Sequence, residues 1–123
     1  MMSAAREVYR ALTASISLQQ MLHHDKYGRC IYHGRSPDAG SYPILVYNII
    51  SDVPVLMADG EELERRVTVR IHILTKDGCY ERIEKEVVHI MRSIHYLRAQ
   101  SIELIEHDCF IKVIDFKKGT GGI

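Results

Sequence analysis

Seven histidines and three cysteines in 123 residues are the first side chains to test for chemistry, because imidazole and thiolate bind zinc and similar metals. Cys30 with His33, and His107 with Cys109, each bring two such groups close together in sequence. A structural zinc site needs four ligands, usually in two tight pairs on turns, and these two pairs stand far apart in the chain. Cys30 and Cys109 also fall in apolar, strand-like runs, where a thiol behaves as a small hydrophobe. His23 and His24 close a helical stretch, where imidazoles suit the dipole. His89 and His95 are six apart, so they do not share a helical face as the histidines of an HExxH pair do. Surface and core roles account for these residues, and neither a metal nor another cofactor is expected.

Nucleophilic and acid–base chemistry find no better support. No serine sits in a G-x-S-x-G turn, and no local feature activates a thiol. The run Glu61-Glu62-Leu63-Glu64-Arg65-Arg66 could pair carboxylates, but its arginines would keep them ionised, and it reads more simply as the solvated start of a strand. Gly119-Thr120-Gly121-Gly122 opens no helix and so is no phosphate loop. The residues therefore point away from an enzyme. What does stand out is apolar surface. The run from Ile44 to Ile50 is apolar on both faces of a strand, and Val53-Pro54-Val55-Leu56-Met57-Ala58 is apolar where a polar loop is usual. Exposed segments of this kind mark protein contacts. A loop folded back over its own core fits the same residues.

The elements that position these groups follow from periodicity. Val8, Leu12, Ile16 and Leu18 to Leu22 predict one helix from Ser3 to Leu22 with Ser3 as N-cap. Arg29 to His33 reads as a short edge strand, and Gly34 to Ser41 as a loop rich in turn formers. Ile44 to Ser51 is a strand, Asp52 to Glu62 a long loop, and Arg66 to Thr75 the clearest strand, with Val67, Val69, Ile71 and Ile73 on one face. Lys76-Asp77-Gly78 is a turn into a helix carrying Tyr80, Ile83, Val87, Ile90, Met91 and Ile94. Strands over Arg98 to Glu106 and Cys109 to Lys117, joined at His107-Asp108, complete the order α-β-β-β-α-β-β. This predicts an α+β fold: an antiparallel or mixed sheet of four to five strands with two helices packed on one face. The length suits a single domain over 1–123, with its core at 4–117 and a flexible tail at 118–123.

Charge narrows the partners. Sixteen Lys and Arg balance sixteen Asp and Glu, so nucleic-acid binding is not expected as a primary role, and no net repulsion opposes self-association. Arg6 and Glu7 interrupt the N-terminus before an apolar run forms, and no stretch approaches the roughly 20 residues that span a bilayer. No membrane partner is expected, and three widely spaced cysteines suit a reducing compartment.

Several local phrases add a resemblance. The Ala-rich N-terminal helix, Tyr42-Pro43-Ile44-Leu45-Val46-Tyr47 leading into a strand, Arg66 to Thr75 followed by Lys76-Asp77-Gly78 and Tyr80, the helix with Ile90-Met91-Arg92-Ser93-Ile94, and a closing hairpin span residues 4–117. In that order they resemble the tail-completion proteins of long-tailed bacteriophages and prophages, also called tail-terminator or head–tail joining proteins. Leu74 replaces an aromatic often found in that family. The resemblance implies a non-catalytic virion protein, assembled in the bacterial host cytoplasm and residing at the head–tail junction. There it would form a homo-oligomeric ring, typically a hexamer, that ends growth of the tail tube and faces the head connector protein. Its partners would be further copies of itself, the tail tube protein and the head connector protein, with at most non-specific contact with passing DNA. On this reading Val55, Leu56 and Met57, with Arg65 and Arg66, supply subunit or tube contacts, and Arg70 or Lys112 faces the lumen. A small α+β module that binds a ligand or protein outside any tail is the alternative. An enzyme with an unrecognised Cys–His pair is a further rival class.

Overall fold

The computed structural model describes residues 3–35, 41–58 and 60–121, with the backbone alone at 55–58, 62–63 and 120–121. Helix α1 (Ala4–Thr13) begins at Ser3, whose Oγ accepts the Arg6 N–H at 3.2 Å. The chain does not continue as one helix to Leu22. It breaks at Ala14–Ser15 and restarts as α2 (Ile16–Gln20). Ser15 causes the break: its Oγ accepts the Leu18 N–H at 3.2 Å and donates to Glu86 Oε1 at 3.1 Å, which competes with helical continuation. Val8 and Leu12 from α1 and Leu18 from α2 are fully buried.

The remaining elements are β1 (Ile31–His33), β2 (Ile44–Ala58), β3 (Glu61–Thr75), α3 (Glu81–Ser93), β4 (Leu97–Glu106) and β5 (Cys109–Gly121). They build one five-stranded sheet in the order β1-β2-β3-β5-β4. β1 runs parallel to β2, and every other pair is antiparallel, so the sheet is mixed. The fold is α+β. Val67, Val69, Ile71 and Ile73 of β3 are buried in the core with Ile83, Val87, Ile90 and Met91 of α3 and with the buried residues of α1 and α2. The period-2 pattern of the strand and the 3.6 pattern of the helices thus meet on one side of the sheet. Among the described residues no helix is long and apolar enough to cross a membrane.

Two further boundaries differ from those read in the sequence. Asp52 to Glu62 is not a loop: β2 and β3 form a hairpin with 15 residues in each strand, turning near Gly60 at φ +78°. Register shifts at Ile49/Ser51, Pro54/Leu56 and Leu56/Met57 interrupt the alternation that would have marked a strand. Pro54 is tolerated because the pairing with β1 ends at Tyr47, leaving this part of β2 as an edge. The C-terminal stretch is not a free tail through Gly121. Lys118, Gly119, Thr120 and Gly121 pair with Val67, Arg66, Arg65 and Glu64.

The turns follow their residue types. Gly78 adopts φ +75°, its N–H bonds Thr75 Oγ1 at 2.9 Å, and Asp77 Oδ1 accepts the Cys79 N–H at 3.0 Å. His107 and Asp108 both have positive φ, the conformation of a two-residue hairpin turn.

Candidate functional site

All three helices pack against the same side of the sheet, and its other side carries apolar clusters of its own. On that side Tyr32, Ile44, Val46, Cys109, Ile111 and Val113 are buried in two clusters, both touched by Tyr42 and Leu74. β2 is therefore apolar on both faces, as its composition indicates: Leu45 and Tyr47 point to the helices, Ile44 and Val46 away from them.

A polar network sits at the border of this apolar patch. Arg70 donates to Asp115 through Nε (2.8 Å to Oδ1) and Nη2 (3.0 Å to Oδ2), and Gln100 Nε2 donates to Oδ2 at 2.8 Å. The hydrogen bonds from Arg70 hold the Asp115 carboxyl below its ordinary range, although burial pushes the other way. His72, next along the same face, has its Nδ1 buried with no hydrogen-bond partner among the described residues. Burial, and then the charge of Arg70, lower its pKa.

The edge of the sheet is more open. β4 is ten residues long and bordered on one side only, by β5. Leu97 (63% exposed), Ile102 (48%), Leu104 (39%) and Ile105 (70%) leave apolar side chains on both of its faces. Soluble proteins usually blunt a long edge with charge, proline or a covering element, since its unpaired N–H and C=O groups template further pairing. Apart from Glu103, Glu106 and Arg98, β4 has none of these, and Arg98 is turned back to Glu84 at 2.8 Å.

The residues singled out from the sequence do not gather at one place. Val55, Leu56 and Met57 lie in β2, but their side chains fall outside the described residues. Arg65 is ion-paired with Asp52 through Nε at 2.9 Å and through Nη2. Arg66 is exposed and, one position along the strand, points to the opposite face. Arg70 and Lys112 also lie on opposite faces. Lys112 is in register with buried Ile73 on the helix side, where its Nζ is 3.7 Å from Glu84 and 3.5 Å from Glu103. Each cation is ion-paired within the chain, Arg70 to Asp115 and Lys112 to Glu84 and Glu103.

The cysteines and histidines are dispersed. Cys30 and Cys109 are buried and Cys79 is exposed. Burial pushes the Cys30 thiol up, and the charge of Asp77 does the same for Cys79, so neither is primed as a thiolate. His33 stacks on Tyr47 instead of joining Cys30 as a ligand pair. Among the described residues no group of three or more His, Cys, Asp or Glu is placed to hold a metal. The exposure of β4 was missed in the sequence, although apolar residues at both odd and even positions, Ile102 with Leu104 and Ile105, were its available signal.

No family model matches this chain, and no curated protein does. Solved structures do. A chain from the virion of a native gene transfer agent particle superposes with a TM-score of 0.63. The likeness covers 94% of this chain and 92% of that one, at 11% identity. At that identity what the two share is the fold.

Proposed function

We propose that this protein is a structural subunit of a phage-like virion, and more narrowly a tail-terminator subunit that closes into a ring at the head-proximal end of the tail. In that role it ends tube growth, presents a surface to the head connector, and catalyses no reaction. The observation that carries the reading is the near end-to-end likeness of fold to a virion chain. Two further features support it. The long β4 edge, with exposed apolar side chains on both faces, offers a surface for another subunit, and the balanced charge of the chain leaves association unopposed. A ring requires a heterologous contact that closes on itself, and a sheet with the long β4 edge on one side and the edge of β2 beyond Tyr47 on the other has two different surfaces to join.

The test is the absolute mass by size-exclusion chromatography with light scattering, over a range of concentrations, with and without purified tail tubes. A species near six times 14.1 kDa that images as a ring, or recruitment of the subunit to tube ends, is the expected result. A protein that remains a subunit or a dimer and ignores tube ends at every concentration overturns the reading. A dimer with a bound small molecule would favour the ligand module instead, for which the open groove of about 990 Å³ between α2, α3 and the Thr75–Cys79 turn is the place to look.

A further inference from the structure

Where β1 meets α1, the sheet carries a surface unlike the apolar face and edge. Tyr9, Arg29, Ile31, Tyr32, His33, Arg35 and Tyr47 line an open groove of about 890 Å³ with no carboxylate among the described residues of its wall. We propose that this groove binds a single strand of nucleic acid, with phosphates at Arg29 and Arg35 and a base stacked on His33.

The charge is local. The chain as a whole is neutral, but from His23 to Arg35 it carries Lys26, Arg29 and Arg35 against Asp25 alone. Asp25 faces Arg29 and offsets part of its charge, yet its oxygens serve the turn: they accept the N–H groups of Tyr27 (2.8 Å) and Arg29 (2.9 Å) and the hydroxyl of Tyr32 (3.0 Å). This fixes the backbone that presents Arg29. Arg65, Arg70, Arg98, Lys112 and Lys118 are all ion-paired. Arg29, whose Cζ lies 6.0 Å from the Tyr27 ring centroid, and Arg35 have no ion pair within 4.0 Å among the described residues, so both guanidiniums can take phosphate oxygens.

The aromatic part decides the class of anion. His33 lies parallel to the buried ring of Tyr47, with centroids 4.8 Å apart and planes 5° apart. Tyr9 flanks Tyr47 at 6.3 Å. One face of His33 is thus backed by Tyr47 while the residue itself stays exposed, which is a platform for a second flat ring. Exposed Tyr27 adjoins Arg29, with its ring centroid 5.1 Å from Lys26 Nζ and 6.0 Å from Arg29 Cζ. An acidic peptide would use the arginines but leave the platform idle. A duplex offers phosphates and keeps its base faces stacked. A single strand uses both. Arg70 and Lys112 are already held by carboxylates and offer less to a phosphate than Arg29 and Arg35 do, and the inference stands independently of ring formation.

Fluorescence anisotropy with a labelled oligothymidylate and with a matching duplex tests it on the intact protein. The single strand is expected to bind more tightly than the duplex at low salt. The pair Arg29→Ala and Arg35→Ala should weaken it at least about tenfold and lower the salt slope by about 1.4, the value for two single-strand phosphates. His33→Ala should weaken it about tenfold with the slope unchanged, as loss of one stacked base predicts. Arg92→Ala, an exposed arginine at the end of α3, should change neither. No binding to the single strand at low salt, tighter binding to the duplex, or an equal loss from Arg92→Ala overturns the proposal. Thermal unfolding of each variant at the wild-type temperature separates lost binding from lost fold.

Discussion

His72 and Asp115 stand on the same face of the sheet with Arg70 between them, and they respond to acid in different windows. Burial, reinforced by Arg70, places the folded pKa of His72 below its ordinary 6.5. Above that value the imidazole is neutral in both states and adds no pH dependence. Below it the unfolded chain takes up the proton first, so stability falls until the folded pKa is also passed. Asp115 has its folded pKa depressed below 3.8, so its contribution is present above that value and is lost as pH falls through the folded pKa. Urea unfolding should therefore show two separate losses of stability, one beginning near neutral pH and one in strong acid. His72→Leu should flatten the first, and removing a buried nitrogen that has no hydrogen-bond partner among the described residues should add about 1 kcal/mol across the pH range. Asp115→Asn should remove the second. A profile that His72→Leu leaves unchanged near pH 6 would mean that the ring is hydrated. The alternation around Val69 and Ile71 makes it legible in the sequence that Arg70 and His72 share a face. The partner of Arg70 lies 45 residues away, and no local spacing reveals it.

At the scale of elements, Ser15 ties the N-terminal helices to α3. It caps α2 and donates to Glu86, whereas Ser3 only caps the exposed start of α1. Ser15→Ala should cost about 1–2 kcal/mol, and Ser3→Ala roughly half as much, in urea unfolding with m unchanged. Equal costs would show that the Glu86 bond contributes nothing. The break at Ser15 was hard to read because Ala11, Ala14, Leu18 and Gln19 favour helix on both sides of it, and only the tertiary partner on α3 decides the outcome. The β2–β3 hairpin was obscured differently. Its bulges destroy period 2 between Ile49 and Met57, and Pro54 argues against a strand unless the strand is known to be an edge there. Gly119 and Gly121 likewise carry no strand propensity, and pairing with the far end of β3 alone orders them. Where one face is continuously buried, as in Val67 to Ile73 or Ile83 to Met91, the pattern and the structure coincide.

The whole molecule presents two unequal sheet edges. β1 covers β2 with only three residues, and β4 leaves a ten-residue edge uncovered. Covering the exposed side chains of Leu97, Ile102, Leu104 and Ile105 would yield about 1–2 kcal/mol each, because they are already partly buried. Association costs roughly 4–15 kcal/mol, so one such contact makes a weak pair. In a closed ring each subunit makes two contacts and the last closure joins surfaces already held together, so assembly is expected to be cooperative and steeply dependent on concentration or on a template. If β4 is the joining edge, lysine at two of its positions should block it, because charge on an edge strand prevents further pairing. Ile102→Lys with Ile105→Lys places one charge on each face of the strand, at side chains that are already solvent-exposed. Urea stability of the subunit should stay within about 0.5 kcal/mol of the wild type. The high-mass species, or the recruitment to tube ends, should disappear. High salt should not dissolve the proposed ring, because strand pairing and apolar burial are not screened as ion pairs are. A doubly substituted protein that assembles with the wild-type concentration dependence would move the contact off β4 and onto the arm that carries Asp52, Arg65 and Arg66.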